Sequence, residues 1–494
     1  MVKILKNFSY LKKIKEKYKN KKIGLCHGVF DLLHYGHLQH FDFAKNNCDV
    51  LVISLTNDRF VNKGPRQPYN NIEIRSKSIA LLKFAEYIFI NDEPTSINII
   101  KNLKPNYYFK GQDYLKKDIT GNLQKEIKAI KKVNGKIIFS KTPLMSSTKI
   151  FNNIFGDFNE NDLKEIKLIK KNYNFDFITN NLENLKNHTV TIIGETIIDS
   201  YVQCQISGLT SKDPCLSVIK KNTNKIPGGT LAIVKILSLF CKKVYFISYG
   251  NNKQLVEFLK NYENVKLINI SKQKKIQEKV RYININRNEK LLQTTNFKYE
   301  EINNNKNLTK NIIKFSRLSQ NLIICDYGIG LFNDKIIEII NNLKIKKFIN
   351  VQSNSINYGF NLFTKYKNAY YMSLDDKEWK LGFGKKENIL LSDIKKLKLF
   401  KNISHTLGKD GSIFYNVNKQ KFFSRTLIKK TVDTTGSGDA FFAMSTMLLI
   451  LKLDPKLILF LSNLYAGIHA QYFGNQTITN KVNFLKKIKS IINI

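Results

Sequence analysis

The chain has 494 residues, 43% of them hydrophobic, which is enough for two or three domains with substantial cores. Its 81 lysines and arginines against 39 aspartates and glutamates give a formal charge of +42. Lysine supplies nearly all of it and is spread along the whole length without a long basic block. This argues against a concentrated nucleic-acid-binding tail; no nucleic-acid partner is expected, and the charge reads as solvated faces that also favour anionic substrates.

The six cysteines, Cys26, Cys48, Cys204, Cys215, Cys241 and Cys325, form no CxxC pair, so neither a disulfide framework nor a zinc site is expected. The opening MVKILKNFSYLKKIKEKYKNKK lacks the unbroken apolar core of a signal peptide, and no apolar run reaches the ~18 residues of a membrane span. A cytoplasmic location without a membrane partner is the expectation.

Short apolar runs alternate with longer amphipathic stretches, the pattern of parallel α/β folds. KIGLCHGVF (22–30) predicts a strand and LLHYGHLQHFDFAKNN a helix. Strand 49–58, a loop containing KGPRQP, helix 75–85, strand 87–92 and helix 96–104 follow. NYYFKGQDY gives a further strand and turn, and KIIFSKTPLMSSTKIFNNIF a strand, loop and helix. About five βα repeats thus end near residue 155, a single Rossmann-like nucleotide-binding domain over 1–155. Residues 156–186 are polar and charged and read as a linker with some helix. HTVTIIGETIIDSY (188–201) opens a second α/β domain over 187–494, within which FFAMSTMLLILKL (441–453) predicts a buried helix.

Two stretches carry chemistry. In HGVFDLLHYGH (27–37) a strand turns into a helix, exposing amino-terminal amides where an anion binds. Gly36 lets a phosphate approach the backbone, and His34 and His37, three apart, share a helix face from which they can donate to a phosphate gaining charge. Zinc ligation is the rival reading, without an evident third ligand nearby. In TVDTTGSGDAFFA (431–443), Gly436, Ser437 and Gly438 can present successive amides to a phosphate, with Asp439 beside them as a general base for a hydroxyl.

The first stretch resembles the G-x-F-D-x-x-H-x-G-H signature of cytidylyltransferase-like nucleotidyltransferases, and MSSTKI (145–150) their second motif. The resemblance implies that Ser146, Ser147 and Thr148 hold the triphosphate, that Lys63 and Arg75 add positive charge, and that Gly28, Phe30, Gly111 and Asp113 border the nucleotide. The second stretch resembles the D-T-x-G-[AS]-G-D signature of ribokinase-type (PfkB) carbohydrate kinases. That resemblance implies a ribokinase-like fold. It makes Asp439 catalytic, and Asp199, Gly228 and Gly229 contacts to the sugar. Gly408 and Gly411 in HTLGKDGS fall in the nucleotide cleft, and Glu378 in an altered Asn-x-x-Glu motif handles magnesium and phosphate. Glu195 stands where an aspartate is usual, and NVQSNSINYGFN (350–361) replaces a common Asp-Pro-Lys.

The pairing resembles bifunctional enzymes that join a heptose-phosphate kinase to a heptose-1-phosphate adenylyltransferase, with the domain order reversed. It implies ATP or another NTP and a sugar phosphate as substrates, Mg2+ carried with ATP, no resident metal, and a homo-oligomer through the kinase domain. A CTP-dependent transferase for a polyol or other sugar phosphate is the enzymatic alternative. A sugar or nucleotide sensor without turnover is the alternative from another class.

Overall fold

The computed structural model describes residues 2–61, 68–111, 122–140 and 158–492, apart from 273, 288, 297, 298, 300, 303, 304, 355, 356, 385–398 and 477. The chain divides into two compact units, one of residues 1–158 with 482–494 and the other of residues 159–481.

In the first unit β1 (Lys3–Leu5), β2 (Ile23–Gly28), β3 (Val50–Thr56), β4 (Tyr87–Asn91), β5 (Tyr107–Gly111) and β6 (Lys136–Ser140) form one sheet. Its order is β1-β4-β3-β2-β5-β6, with every pair parallel. Helices α1 (Phe8–Lys17), α2 (Tyr35–Asn46), α3 (Ile72–Leu81), α4 (Ile97–Leu103) and α5 (Asn122–Lys132) cover it. The strand period of two sorts the core. Leu25, Val52, Phe89 and Tyr108 pack with Leu11, Ile99 and Ile130 on one face. Their neighbours Cys26, Ile53, Ile88 and Phe109 pack with Phe41 and Ile79 on the other. From β2 the chain runs to β3 and β4 on one side and later to β5 and β6 on the other. The strand order therefore reverses beside β2, the place where open α/β sheets bind ligands.

Among the described residues the expected strands and helices are present, with differences at the edges; most of the KGPRQP loop and the loop and helix expected after residue 140 lie outside the described residues. The opening residues add β1 and α1, capped by the Asn7 side chain, which accepts from the Ser9 amide at 2.9 Å. Helix α2 starts at Tyr35, within the His34–His37 stretch expected to open it, and Phe30 (φ +48°) and Leu32 (φ +41°) hold the preceding turn in the left-handed region.

The second unit contains β7 (Thr189–Gly194), β8 (Thr196–Leu209), β9 (Leu216–Gly229), β10 (Lys243–Ser248), β11 (Val265–Asn269), β12 (Gln277–Asn284), β13 (Glu289–Thr295) and β14 (Asn321–Asp326). It continues with β15 (Lys346–Val351), β16 (Ala369–Asp375), β17 (Phe400–Thr406), β18 (Ser412–Tyr415) and β19 (Lys421–Ser424). A nine-stranded sheet runs β11-β10-β7-β14-β15-β16-β17-β18-β19, parallel except for its last two pairings. A separate four-stranded sheet runs β13-β12-β8-β9. Helix Ser437–Ile450 is buried along nearly its whole length, as its unbroken apolar sequence predicts.

Two expected boundaries change. Much of the 156–186 stretch is helix, Glu160–Asn172 and Phe175–Asn184, belonging to the second unit. Asp162 pairs with Lys429 at 3.2 Å, and Glu165 accepts from the Arg425 amide at 3.1 Å. The polar composition that reads as a linker supplies the helix caps Asn159 and Asn174 and this ion pair. At the other end, Val482–Ile494 groups with the first unit, so the second unit closes at 481 instead of 494.

Candidate functional site

In the first unit the turn after β2 delivers His34 as the residue capping α2 and His37 one turn inside it. Their rings stack with centroids 3.8 Å apart, and Phe30 meets His37 edge-on at 5.4 Å and Phe41 at 4.8 Å. The strained backbone of Phe30 thus aims a ring that braces the imidazoles. Gly28 is required beneath it, since a Cβ there would lie 2.9 Å from the Phe30 ring. Gly36 is buried in the first turn of α2, and Gly111 ends β5 across from Ser140.

Arg75 departs from the expectation of a cation offered to phosphate. It is 2% exposed, and its guanidinium donates to the carbonyls of Val29 (2.6 Å), Asn70 (3.0 Å) and Thr56 (2.9 Å) and to Asp58. Five donors in a fixed fork suit it to tie three loops together. Asp31 does the same from the other side, accepting from the amides of Leu32, Tyr69 and Asn70 at 3.1, 2.6 and 3.1 Å. Sequence reading passed over Asp31, although it lies inside the signature. His40, one turn beyond His37, bonds Ser140 at 2.8 Å, and burial lowers its imidazole to about 4. His27 bonds Ser54 at 3.1 Å and is likewise lowered to about 4 by burial. Lys63, Asp113, Ser146, Ser147 and Thr148 lie outside the described residues.

The second unit gathers its groups beyond the carboxyl ends of β7, β14, β15 and β16. Gly436 adopts φ +80° and caps helix Ser437–Ile450, so Ser437, Gly438 and Asp439 form its first turn. A Cβ at Gly436 would sit 2.3 Å from Asn475 Oδ1. Asp439 is buried and accepts from Gln352 Nε2 at 2.7 Å and the Tyr327 hydroxyl at 3.3 Å. Burial pushes its carboxyl up to about 7, with the Asp199 charge adding and these two donors opposing.

Asp199 lies close by but is already engaged, accepting from Arg281 at 2.5 Å and Asn475 at 3.2 Å. Gly228 is needed for that packing, because a Cβ would fall 2.1 Å from Asp199 Oδ2. Gly229 turns the chain at φ +57° into helix Thr230–Phe240. Lys279 pairs in register with Asp199 across β12 and β8; burial lowers its amine while Asp199 and Asp439 act to raise it. Glu195 is a latch, its carboxylate accepting from the amides of Tyr327 (2.7 Å), Ile329 (3.0 Å) and Leu331 (3.1 Å).

Residues 187–481, more than half of the chain, match the family described as pfkB family carbohydrate kinase. The chain belongs to the pfkB family. In this pfkB-family chain residues 25–153 match a second family, described as Cytidylyltransferase-like. Two curated relatives are both named Bifunctional protein HldE. The one from Campylobacter fetus is 38% identical over 139 residues, 28% of this chain and 28% of the relative. The one from Sulfurimonas denitrificans is 34% identical over 158 residues, 31% of each. These alignments span under a third of either relative. Phosphofructokinase-2 from Escherichia coli shares the fold, at TM-score 0.50 and 14% identity over 62% of this chain and all of that one.

The remaining expected pfkB residues are structural in part. Glu378 completes a capping box, its Oε2 accepting from the Asp375 amide at 2.9 Å; burial raises its carboxyl to about 8. Gly408 (φ +59°) and Gly411 (φ +105°) shape the turn from β17 to β18, and a Cβ at Gly411 would meet Ser424 O at 2.1 Å. Beside that turn His405 stacks on Trp379, centroids 4.6 Å apart at 1°, and faces Asp376 at 3.2 Å. Among the described residues no three His, Cys, Asp or Glu side chains cluster as a metal site, and no helix is long and apolar enough to cross a membrane. Gln352, Tyr327, Lys279 and Arg281 are the site residues that sequence reading missed. Only Gln352 lay in a stretch already marked as unusual.

Proposed function

We propose that this chain is a bifunctional enzyme of nucleotide-sugar synthesis. The kinase unit phosphorylates a sugar or sugar phosphate with ATP. The transferase unit joins AMP from ATP to a sugar-1-phosphate, releasing pyrophosphate and leaving an ADP-heptose-like product. The observation that carries it is the presence, in one chain, of a stacked His34–His37 pair at one strand-order reversal and a buried base, Asp439, beside a glycine-rich helix start at another.

In the kinase step Asp439 takes the proton of the attacking hydroxyl, held in place by Gln352 and Tyr327. The amides at Gly436–Gly438 hold the γ-phosphoryl group as it passes to that oxygen and ADP leaves. Mg2+ would come as a companion of the triphosphate, keeping most of its waters; Glu378 is the acidic group that would face it, and it would neutralise phosphate charge while Asp439 stays free to act as the base. In the transferase step a phosphate oxygen of the sugar-1-phosphate attacks the α-phosphorus while pyrophosphate leaves. No proton needs removing, so donors at His34 and His37 suffice. The HldE relatives support a heptose phosphate as substrate.

The CTP-dependent reading is favoured by one observation, the cytidylyltransferase-like match over 25–153. The test is to incubate the whole chain with a panel of sugar phosphates and either ATP or CTP, following pyrophosphate and ADP separately. Pyrophosphate with ATP and heptose-1-phosphate is expected. No release with any NTP would sink the transferase assignment, and release with CTP alone would replace the adenylyl reading.

A further inference from the structure

We read the four-stranded sheet as a lid over the site, because Lys290 reaches Asp433 and Asp199 meets Asn475. Lys290 lies on β13, the outer strand of that sheet, in register with Ile283 of β12. Its Nζ is 2.7 Å from Asp433 Oδ1 and 2.8 Å from Thr435 Oγ1. The same Oδ1 accepts from the Thr435 amide at 3.0 Å and the Thr435 hydroxyl at 2.8 Å. Burial alone would raise the Asp433 carboxyl, but Lys290 and Thr435 outweigh it and hold it below the usual carboxylate range. Asp433 is therefore a buried anion at the entrance of the loop that ends in Asp439, and a triphosphate reaching Gly436–Gly438 passes beside it. An uncompensated negative charge beside the phosphates would weaken binding by about tenfold or more at the dielectric of a protein surface.

We propose that Lys290 is the positioning residue that neutralises this loop, so that the phosphate site is complete only while the lid sheet is docked. Lys290 and Asp433 sit in different layers, and lifting the lid withdraws the cation and leaves Asp433 facing the phosphates. By linkage, bound nucleotide holds the lid down by the same factor. Asn475 to Asp199 of β8 gives the lid a second attachment near the same loop, so the docked state does not depend on Lys290 alone. The device joins two events that a kinase must couple, nucleotide arrival and closure over the acceptor. It rests on reading residues 433–439 as the kinase's phosphate loop.

Local hydrogen exchange tests it without knowledge of the sugar. The full chain is titrated with the magnesium complex of adenylyl imidodiphosphate, and protection is read in peptides covering 433–442 and, as an internal reference, 23–46. Lys290→Met is expected to raise the half-saturating concentration at 433–442 by about tenfold, and Lys290→Arg to stay within about threefold of wild type. Adding Asp433→Asn to Lys290→Met is expected to restore binding to within about threefold, a rescue that loss of packing would not give. The 23–46 peptides keep one value throughout. Wild-type affinity in Lys290→Met, or a double variant as weak as the single, would overturn the proposal. If wild type shows no protection at 433–442 at any concentration, the phosphate-loop reading fails first and the proposal falls with it.

Discussion

Both sheets reverse their strand order beside a first central strand, β2 in one unit and β7 in the other, and both candidate sites lie beyond the carboxyl ends of such strands. Their furnishing differs. The first unit offers two stacked imidazoles on a turn whose loops are tied by Asp31 and Arg75 to backbone groups. The second pairs buried carboxylates with cations of the four-stranded sheet: Asp199 with Arg281 inside that sheet, and Asp433 with Lys290 across to it. Under the proposed function the contrast follows the nucleophile. A phosphate oxygen is already an anion, so a site for it needs donors and fixed loops. A sugar hydroxyl must lose a proton, so its site needs a base whose charge is tolerable when buried.

The sharpest way to break this comparison is to remove one nucleophile-handling group at a time. Asp439→Asn is expected to lower ADP formation by about 10³-fold or more while pyrophosphate release is unchanged. His37→Ala is expected to lower pyrophosphate release by about 10²-fold and leave ADP formation intact. If either variant depresses both products together, the two chemistries are not separate. Arg75→Met should cost about 3 kcal/mol of folding stability in denaturant titration, since it leaves three carbonyls and Asp58 without their donor. A stable variant that loses only pyrophosphate release would return Arg75 to the phosphate.

The smallest effect is graded. With its carboxyl raised to about 7, Asp439 is increasingly protonated as pH falls below that value. A protonated base cannot accept the hydroxyl proton, so kcat/KM for sugar phosphorylation should drop about tenfold per pH unit on the acid side. A profile that is level from pH 5 to about 7 would remove Asp439 as the base.

Much of this was readable from residues alone where backbone geometry is local. The glycine and histidine spacing of residues 28–37 and the glycines before Asp439 mark helix starts that the chain does form. What could not be read is where long-range partners arrive. Arg75 looks like a phosphate cation until Val29, Thr56 and Asn70 are found around it. Glu195 reads only as a departure from the usual aspartate, yet three amides more than a hundred positions away occupy it. Lysine is so abundant that Lys290 carries no signal in sequence; its meaning comes from the register that brings β13 to Asp433. Helices 160–184 were obscured for the opposite reason, because their capping asparagines resemble the composition of a linker.

The stack of Trp379 on His405 has a spectroscopic consequence. Trp379 is the chain's one tryptophan, so all indole emission arises in the second unit, at the turn that carries Gly408. A protonated imidazole lying parallel to an indole accepts its excited-state electron and quenches it, whereas a neutral one does so weakly. Burial lowers the His405 imidazole, with Asp376 opposing, so the emission should stay bright at neutral pH and dim only on acidification below the ordinary histidine range. The protein thus carries its own optical probe of protonation beside the turn from β17 to β18.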